Sequence, residues 1–360
     1  MTQTPIYFFL RAHINNKMKK ASSSLKYTAP SWLPGGNAQT IFPYFFKPKK
    51  FINYRRERWE LDDGDFIDID WMDGTNNKPL VVFFHGLEGD SDSHYVLSMM
   101  TALKELGWHG AVIHFRGCSG EPNRLQRAYH AGDSEEINWM LHRIHQQSGL
   151  SDNMQPLFIV AVSLGGNALL KWLGEQGDSA HQIVTAAATI SVPLDLVAAG
   201  AALDTGFNKF YTRHFLSTLK QKALQKLKCF PGLFDVHAIK ACNTIHQFDN
   251  LVTAPLHGFR NTDEYWQKSS SKPWLKHIQV PTLIINARND PFMPATALPT
   301  QDEVSSAVTL DFPTEGGHAG FIQQPFPGKL TWLPERMLSF FKQAQSDAKT
   351  QHSHLLEKSS

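Results

Sequence analysis

Leu157-Phe158-Ile159-Val160-Ala161-Val162-Ser163-Leu164-Gly165-Gly166 runs six apolar residues straight into a serine, a leucine and two glycines. Such a run suits a strand buried on both faces, as in a parallel sheet. A helical pattern follows, from about 164 to 174. A strand that turns into a helix at a serine approximates the nucleophile elbow, G-x-S-x-G, where the serine sits on a strained turn. The turn needs small residues two before and two after the serine, because neighbouring backbone passes close. Gly165 meets that need, whereas Ala161 stands where the pattern has glycine. Glycine-rich turns ahead of helices also cradle phosphates. These residues alone therefore leave a catalytic serine and a structural or nucleotide loop both open.

Further buried strands are predicted on either side. Leu80-Val81-Val82-Phe83-Phe84 ends at His85-Gly86, and Ala111-Val112-Ile113-His114-Phe115 follows. Val184 to Val192, Thr282 to Asn286 and Val308 to Phe312 complete the set. Helical spacing covers 93–106, stopped by Gly107, and 133–147, with Asp133 or Ser134 as N-cap and Glu135 and Glu136 in the first turn. A closing helix is expected over 333–345. Residues 54–61 and 66–71 alternate polar and apolar around Asp62-Asp63-Gly64-Asp65, the signature of a hairpin. Residues 28–50, rich in proline and aromatics, read as irregular chain. Strand and helix alternate, so the fold class is α/β, with a mainly parallel sheet and flanking helices. Residues 194–275 break the rhythm and read as a helical cap inserted over the sheet's carboxyl edge, where ligands bind in open α/β sheets. One domain is expected over 31–345, with a variable or disordered extension at 1–30 and a disordered tail at 346–360.

Composition narrows the classes. Of 360 residues, 42% are hydrophobic and 19% charged, which is ample for a core and too apolar for a disordered chain. Lys+Arg 35 against Asp+Glu 33 argues against a bulk nucleic-acid binder. The 24 Phe and 9 Trp suggest a pocket or surface for apolar groups. Cys118, Cys229 and Cys242 form neither a disulfide framework nor a C-x-x-C pair, so a reducing compartment is the simplest reading. Ile6 to Leu10 is too short for a signal core or a membrane span, and a cytoplasmic location is expected.

Three loops past predicted strands carry candidate chemistry. In His85-Gly86-Leu87-Glu88-Gly89 the Leu87 N–H would pair with the Leu164 N–H as an oxyanion hole. His85 itself reads as loop-shaping, although its spacing to Asp90 matches an acyltransferase H-x-x-x-x-D. Asp290, fixed by Pro291, would orient a histidine, or would merely cap a helix. His318, held among Gly316, Gly317 and Gly320, has room to exchange protons. Jointly, Ser163, Asp290 and His318 fall in the chain order of the α/β-hydrolase triad, which favours the catalytic reading over each local alternative. Gly-Asp-Ser recurs at Gly89, Gly132 and Gly177 without supporting context. No H-E-x-x-H or strand-borne G-x-G-x-x-G is present, and His142 and His145 lack a third ligand, so neither metal nor cofactor is expected. Lys209, Arg213, Lys220, Lys222, Lys226 and Lys228 read first as a solvated helix face, second as a transient membrane-surface contact.

The set Trp32-x-x-x-Gly36-Asn37-x-Gln39-Thr40, Asp63-Gly64-Asp65, His85-Gly86-Leu87-Glu88-Gly89, Phe115-Arg116-Gly117-Cys118-Ser119-Gly120 and Ser163-Leu164-Gly165-Gly166-Asn167 resembles the AB hydrolase-4 family. This is the YheT-like esterase branch of the α/β hydrolases. Tyr129-His130-Ala131-Gly132-Asp133, Asp290-Pro291-Phe292-x-Pro294 and Gly317-His318-x-Gly320-Phe321 share the likeness, which spans about residues 30–340. Ala161 departs from the family's usual glycine. The resemblance implies a serine carboxylesterase with Ser163, Asp290 and His318 as its charge-relay set. Animal relatives act on acylglycerols and phospholipids, so the implied substrate is an uncharged or lipid-like carboxylic ester. The cap should form the acyl pocket, with Phe207, Phe210, Phe215 and Trp274 as candidates. An acyltransferase using an alcohol or thiol acceptor, and a non-catalytic binding protein on the same fold, are the alternatives. The oligomeric state is not legible.

Overall fold

The structure, a computed structural model, describes residues 25–46, 51–147 and 155–359. Its frame is one eight-stranded sheet in the order β1-β2-β4-β3-β5-β6-β7-β8. The strands are β1 (Arg55–Glu60), β2 (Phe66–Met72), β3 (Leu80–Phe84), β4 (His109–His114), β5 (Leu157–Val162), β6 (Ala186–Ile190), β7 (Thr282–Ile285) and β8 (Val308–Asp311). β1 and β2 pair antiparallel, β2 joins β4 antiparallel, and every other pairing is parallel. The hairpin turns at Gly64, whose φ of 84° is the left-handed conformation that glycine adopts without strain.

The sheet is covered on both faces, which is why its central strands are apolar throughout. β3 divides by alternation. Leu80, Val82 and Phe84 join a core with α3 (Ser134–Gln147) and α4 (Ser163–Gln176). Val81 and Phe83 join another with α2 (His94–Leu106) and the closing helix α9 (Trp332–Ser359). α2 ends at Gly107, whose φ of 67° and N–H to the Lys104 carbonyl cap it as its spacing suggested.

β3 and β5 lie side by side, yet β4 leaves to one side of them and β6 to the other. This reversal opens a crevice at the carboxyl ends, the place where open α/β sheets bind ligands. Between β6 and β7 the chain makes α5 (Leu196–Leu203), α6 (Lys209–Cys229), α7 (Val236–Ala241), short helical turns over 245–256, and α8 (Thr262–Ser269). They carry their own apolar cluster around Leu216, Ile239 and Phe248.

The structure corrects three local expectations. Residues 36–46 are not irregular: Gly36–Phe46 is a helix, α1, with Pro43 inside it. Pro43 has no N–H to return to the Gln39 carbonyl, and that carbonyl lies against Gly320, where a Cβ would stand 2.1 Å away. Tertiary packing thus holds a helix that propensity disfavours. The expected disordered tail at 346–360 is instead helix as far as Ser359. In the expected N-terminal extension, residues 1–24 lie outside the described residues, but Tyr27 is buried and donates its hydroxyl to the Ile322 carbonyl at 2.7 Å.

Candidate active site

Ser163 follows β5 directly. Val162 is extended (φ −120°, ψ 138°), Ser163 turns left-handed at φ 52°, and α4 begins at once. A positive φ on a non-glycine residue is strained, and such strain gathers at functional turns. The glycines around it let backbones meet. A Cβ on Gly165 would come within 2.4 Å of the His85 carbonyl, and one on Gly86 within 3.1 Å of Ser163 Cβ. Ala161 needs no such exemption: it sits in regular β5, paired with Phe84 and Thr189, with its methyl in the core.

The loop after β3 is fixed from below. His85 is fully buried, its Nε2 accepts from the Phe115 N–H at 3.2 Å, and its Nδ1 meets the Gly86 carbonyl at 2.7 Å. Nδ1 therefore carries the proton. Burial pushes the imidazole down to about 3, so it stays neutral and structural. The His85-to-Asp90 acyltransferase spacing therefore presents no reactive histidine. Hydroxyls of Tyr95 and Tyr129 take the Gly86 and Glu88 N–H groups at 3.2 and 2.9 Å. Between them, the Leu87 N–H has no protein acceptor among the described residues. Leu164 lies in the first turn of α4, where N–H groups have no intrahelical partner.

Asp290 and His318 meet across two loops. His318 Nδ1 lies 2.9 Å from Asp290 Oδ2 and 3.2 Å from Oδ1. A carboxylate only accepts, so Nδ1 is the donor and Nε2 is left free to act as a base. The Asp290 side chain is wholly shielded, and its Oδ1 also accepts from the Phe292 N–H at 2.8 Å. The Phe292 ring lies 4.2 Å from the His318 ring.

Ser163 and His318 face two cavities. The larger, about 1100 Å³, runs between α1, α2 and α9 and is mixed in character, with Thr40, Tyr44, Ser98, Glu105 and Lys342 in its wall. The other, about 700 Å³, lies under the cap and is also mixed, with Leu196, Leu219 and Val252 in its wall beside Glu88, Arg116 and Lys222. Phe215 borders both and Phe210 the larger. Two expected pocket residues lie elsewhere. Phe207 is 56% exposed on a turn ahead of α6, against Phe210 and Tyr211. Trp274 packs on Gly174 of α4, away from both cavities. An aromatic count over 194–275 carries no information about which side of the cap each ring faces.

The basic face of α6 is only partly solvated. Lys222 pairs with Glu88 at 2.9 Å, beside the Cys118 thiol. Lys226 donates to Asn123 Oδ1 and the Leu125 carbonyl at 2.7 and 2.6 Å. Two lysines thus tie the cap to the body, one of them at the Leu87 loop itself. Sequence reasoning also passed over Asn167, which is fully buried. Its amide donates to the Ala131 and Ser269 carbonyls and its oxygen accepts from the Ser271 N–H, joining α4 to the cap's exit. Only its place in the Ser163–Asn167 motif marked it.

An α/β sheet with its candidate chemistry at the carboxyl ends and a cap between β6 and β7 defines an α/β-hydrolase architecture. The chain belongs to that family: the family described as alpha/beta hydrolase fold matches residues 79–325. It is 37% identical over 322 residues to the Escherichia coli (strain K12) protein named "Putative esterase YheT", covering 88% of this chain and 93% of that one. It is 29% identical over 335 residues to "Phospholipase ABHD3" of Homo sapiens, covering 90% and 79%. Among solved structures, the Pyrococcus furiosus esterase Pf2001 superposes with a TM-score of 0.51 at 16% identity, over 81% of this chain and 90% of that one, a likeness of fold alone. The relatives are thus esterase- and lipase-like hydrolases. No helix among the described residues is long and apolar enough to cross a membrane.

Proposed function

We propose that this protein is a serine hydrolase that cleaves carboxylic esters through an acyl-enzyme on Ser163. The observation that carries the reading is the His318–Asp290 pair, 2.9 Å apart, facing the same two cavities as a serine held left-handed at the end of β5. In this mechanism His318 Nε2 takes the Ser163 hydroxyl proton as Oγ adds to the ester carbonyl, while Asp290 fixes the tautomer and stabilises the imidazolium. The N–H groups of Leu87 and Leu164 donate to the oxyanion. His318 then gives its proton to the leaving alcohol, and water repeats the sequence. The chamber under the cap takes the acyl chain along its Leu196, Leu219 and Val252 side, with Phe215 between the two cavities, and the larger cavity takes the alcohol. The apolar side chains in both walls support a lipid-like or acylglycerol-like ester, and a lipid ester is also what the phospholipase relative's name carries.

A p-nitrophenyl ester panel from C2 to C16, run on wild type and Ser163→Ala, tests the proposal. Hydrolysis that vanishes in a folded Ser163→Ala is expected; equal turnover by the variant refutes it. Product partitioning with added glycerol or coenzyme A separates hydrolysis from acyl transfer. The same proposal includes a cytoplasmic location, supported by three free cysteines. It also includes transient binding to anionic membrane surfaces, through exposed Lys209 and Arg213 beside exposed Phe207, Phe210 and Tyr44. Sedimentation with anionic but not neutral vesicles is the expected result, and no sedimentation with either removes the membrane contact.

A further inference from the structure

Residues 316–319 cannot satisfy their own backbone. Gly316, Gly317 and Ala319 have φ of 148°, 63° and 54°, so the loop forms no helix or ladder. Four consecutive N–H groups are nevertheless all accepted, each by a side chain. Gly316 N–H goes to Gln39 Oε1 at 2.8 Å, and Gly317 N–H to Asn289 Oδ1 at 3.0 Å. His318 N–H goes to Thr40 Oγ1 at 2.8 Å, and Ala319 N–H to Ser191 Oγ at 2.9 Å. His94 Nε2 meets the Ala319 carbonyl at 2.9 Å.

The acceptors are themselves held. Gln39, fully buried, takes the Asn289 amide at 3.0 Å on the same Oε1 and gives its own amide to the Leu33 carbonyl at 2.9 Å. Thr40 donates its hydroxyl to the Gly36 carbonyl at 2.7 Å. The backbones also interlock. A Cβ on Gly36 would fall 1.8 Å from the Asn289 carbonyl, and one on Gly317 2.8 Å from the Gly36 carbonyl. Asn289 precedes Asp290, so the chain of bonds from α1 through Asn289 to Gly317 joins the loop bearing the acid to the loop bearing the base.

We propose that Thr40, Gln39 and Asn289 are positioning residues that set the register between His318 and Asp290 by anchoring three consecutive N–H groups of the histidine loop. This rests on the ester-hydrolase reading. Acceptors held in this way lock the geometry of a reacting group, and a displacement of about 1 Å costs on the order of 10² in rate. The sequence elements involved, Gly36 to Thr40 and Asn289, thereby gain a role.

The test is Thr40→Val, which removes the acceptor at nearly constant shape, beside Thr40→Ser, which keeps it. For a soluble p-nitrophenyl ester, Thr40→Val should lower kcat by about 10- to 100-fold with KM within about 3-fold, and move the acid limb of the pH–rate profile. Thr40→Ser should recover kcat to within about 3-fold of wild type. If Thr40→Val does not fold, Asn289→Ala carries the same expectation through Gly317. A folded variant with wild-type kcat and pH profile, or one altered in KM alone, overturns the inference. Wild type without Ser163-dependent turnover refutes the ester-hydrolase reading and takes this inference with it. Full wild-type turnover retained by Thr40→Val overturns the inference alone.

Discussion

Ala161 and Gly165 stand two residues either side of Ser163, yet the turn treats them differently. Ala161 is strand, with its methyl in the core beneath the sheet; Gly165 is in the first turn of α4, where a methyl would meet the His85 carbonyl at 2.4 Å. The glycine requirement is thus real on one side only. Ala161→Gly should keep ester turnover within about 3-fold and cost about 0.5–1 kcal/mol of stability, the usual penalty of glycine for alanine inside regular structure. Gly165→Ala must push back the Leu87 loop, and misplacing an oxyanion donor costs on the order of 10² to 10³ in rate. Ester kinetics and thermal melts of the two variants check this. A fully active Gly165→Ala would show that the loop does not depend on that close approach. At this scale the sequence was informative where residues follow strand ends: Ser163 after β5, and Asp290 and His318 on the loops after β7 and β8. It marked Gln39 only as part of a motif and gave no sign that Gln39 and Asn289 meet, at 3.0 Å although 250 residues apart in the chain.

Among the elements, α1 and the cap show where local pattern gives way to tertiary packing. Pro43 and the aromatics made 28–50 look irregular, but Gln39 and Thr40 are locked onto the histidine loop and the helix forms around them. The cap was visible as a break in rhythm, and its basic helix was visible as charge. That Lys222 and Lys226 turn inward was not, because their partners Glu88 and Asn123 lie in distant loops. The cap also sets the proposed acyl chamber. Leu219 of α6 lines it and is only partly buried, so a larger side chain has room to enter the space. Leu219→Trp should shift the best substrate to shorter acyl chains, with acetyl-ester turnover changed less than about 3-fold. A p-nitrophenyl ester series reads the result, and an unchanged chain-length profile would place the acyl group in the other cavity.

Over the whole molecule, alternation of strand and helix made a mainly parallel α/β sheet legible, while the strand order was not, since register and neighbours depend on long-range pairing. The fold also buries histidines. Burial pushes His85, His130 and His257 down to about 3 and His94 to about 4. A depressed imidazole binds its proton more weakly in the folded state. Its contribution to stability is therefore present above its ordinary 6.5 and is lost as pH falls toward the folded value. Glu136 and Asp249 oppose this: burial, joined at Glu136 by the Asp133 charge, pushes both carboxyls up, so their contributions fade as pH rises above the ordinary carboxylate range. Four imidazoles outweigh two carboxyls, so the urea midpoint should fall steadily from pH 7 to pH 5, and His257→Gln should flatten that slope. A midpoint constant over this range would mean that the imidazoles take up protons without unfolding.

The central claim of the proposal is that Ser163, activated by the His318–Asp290 pair, is the nucleophile that takes the acyl group. Fluorophosphonate labelling followed by mass spectrometry of the digested protein tests it most directly. The account predicts one adduct, on the peptide carrying Ser163, lost in Ser163→Ala and strongly slowed in His318→Gln. An adduct on another serine, or none on the folded wild-type protein, would contradict it.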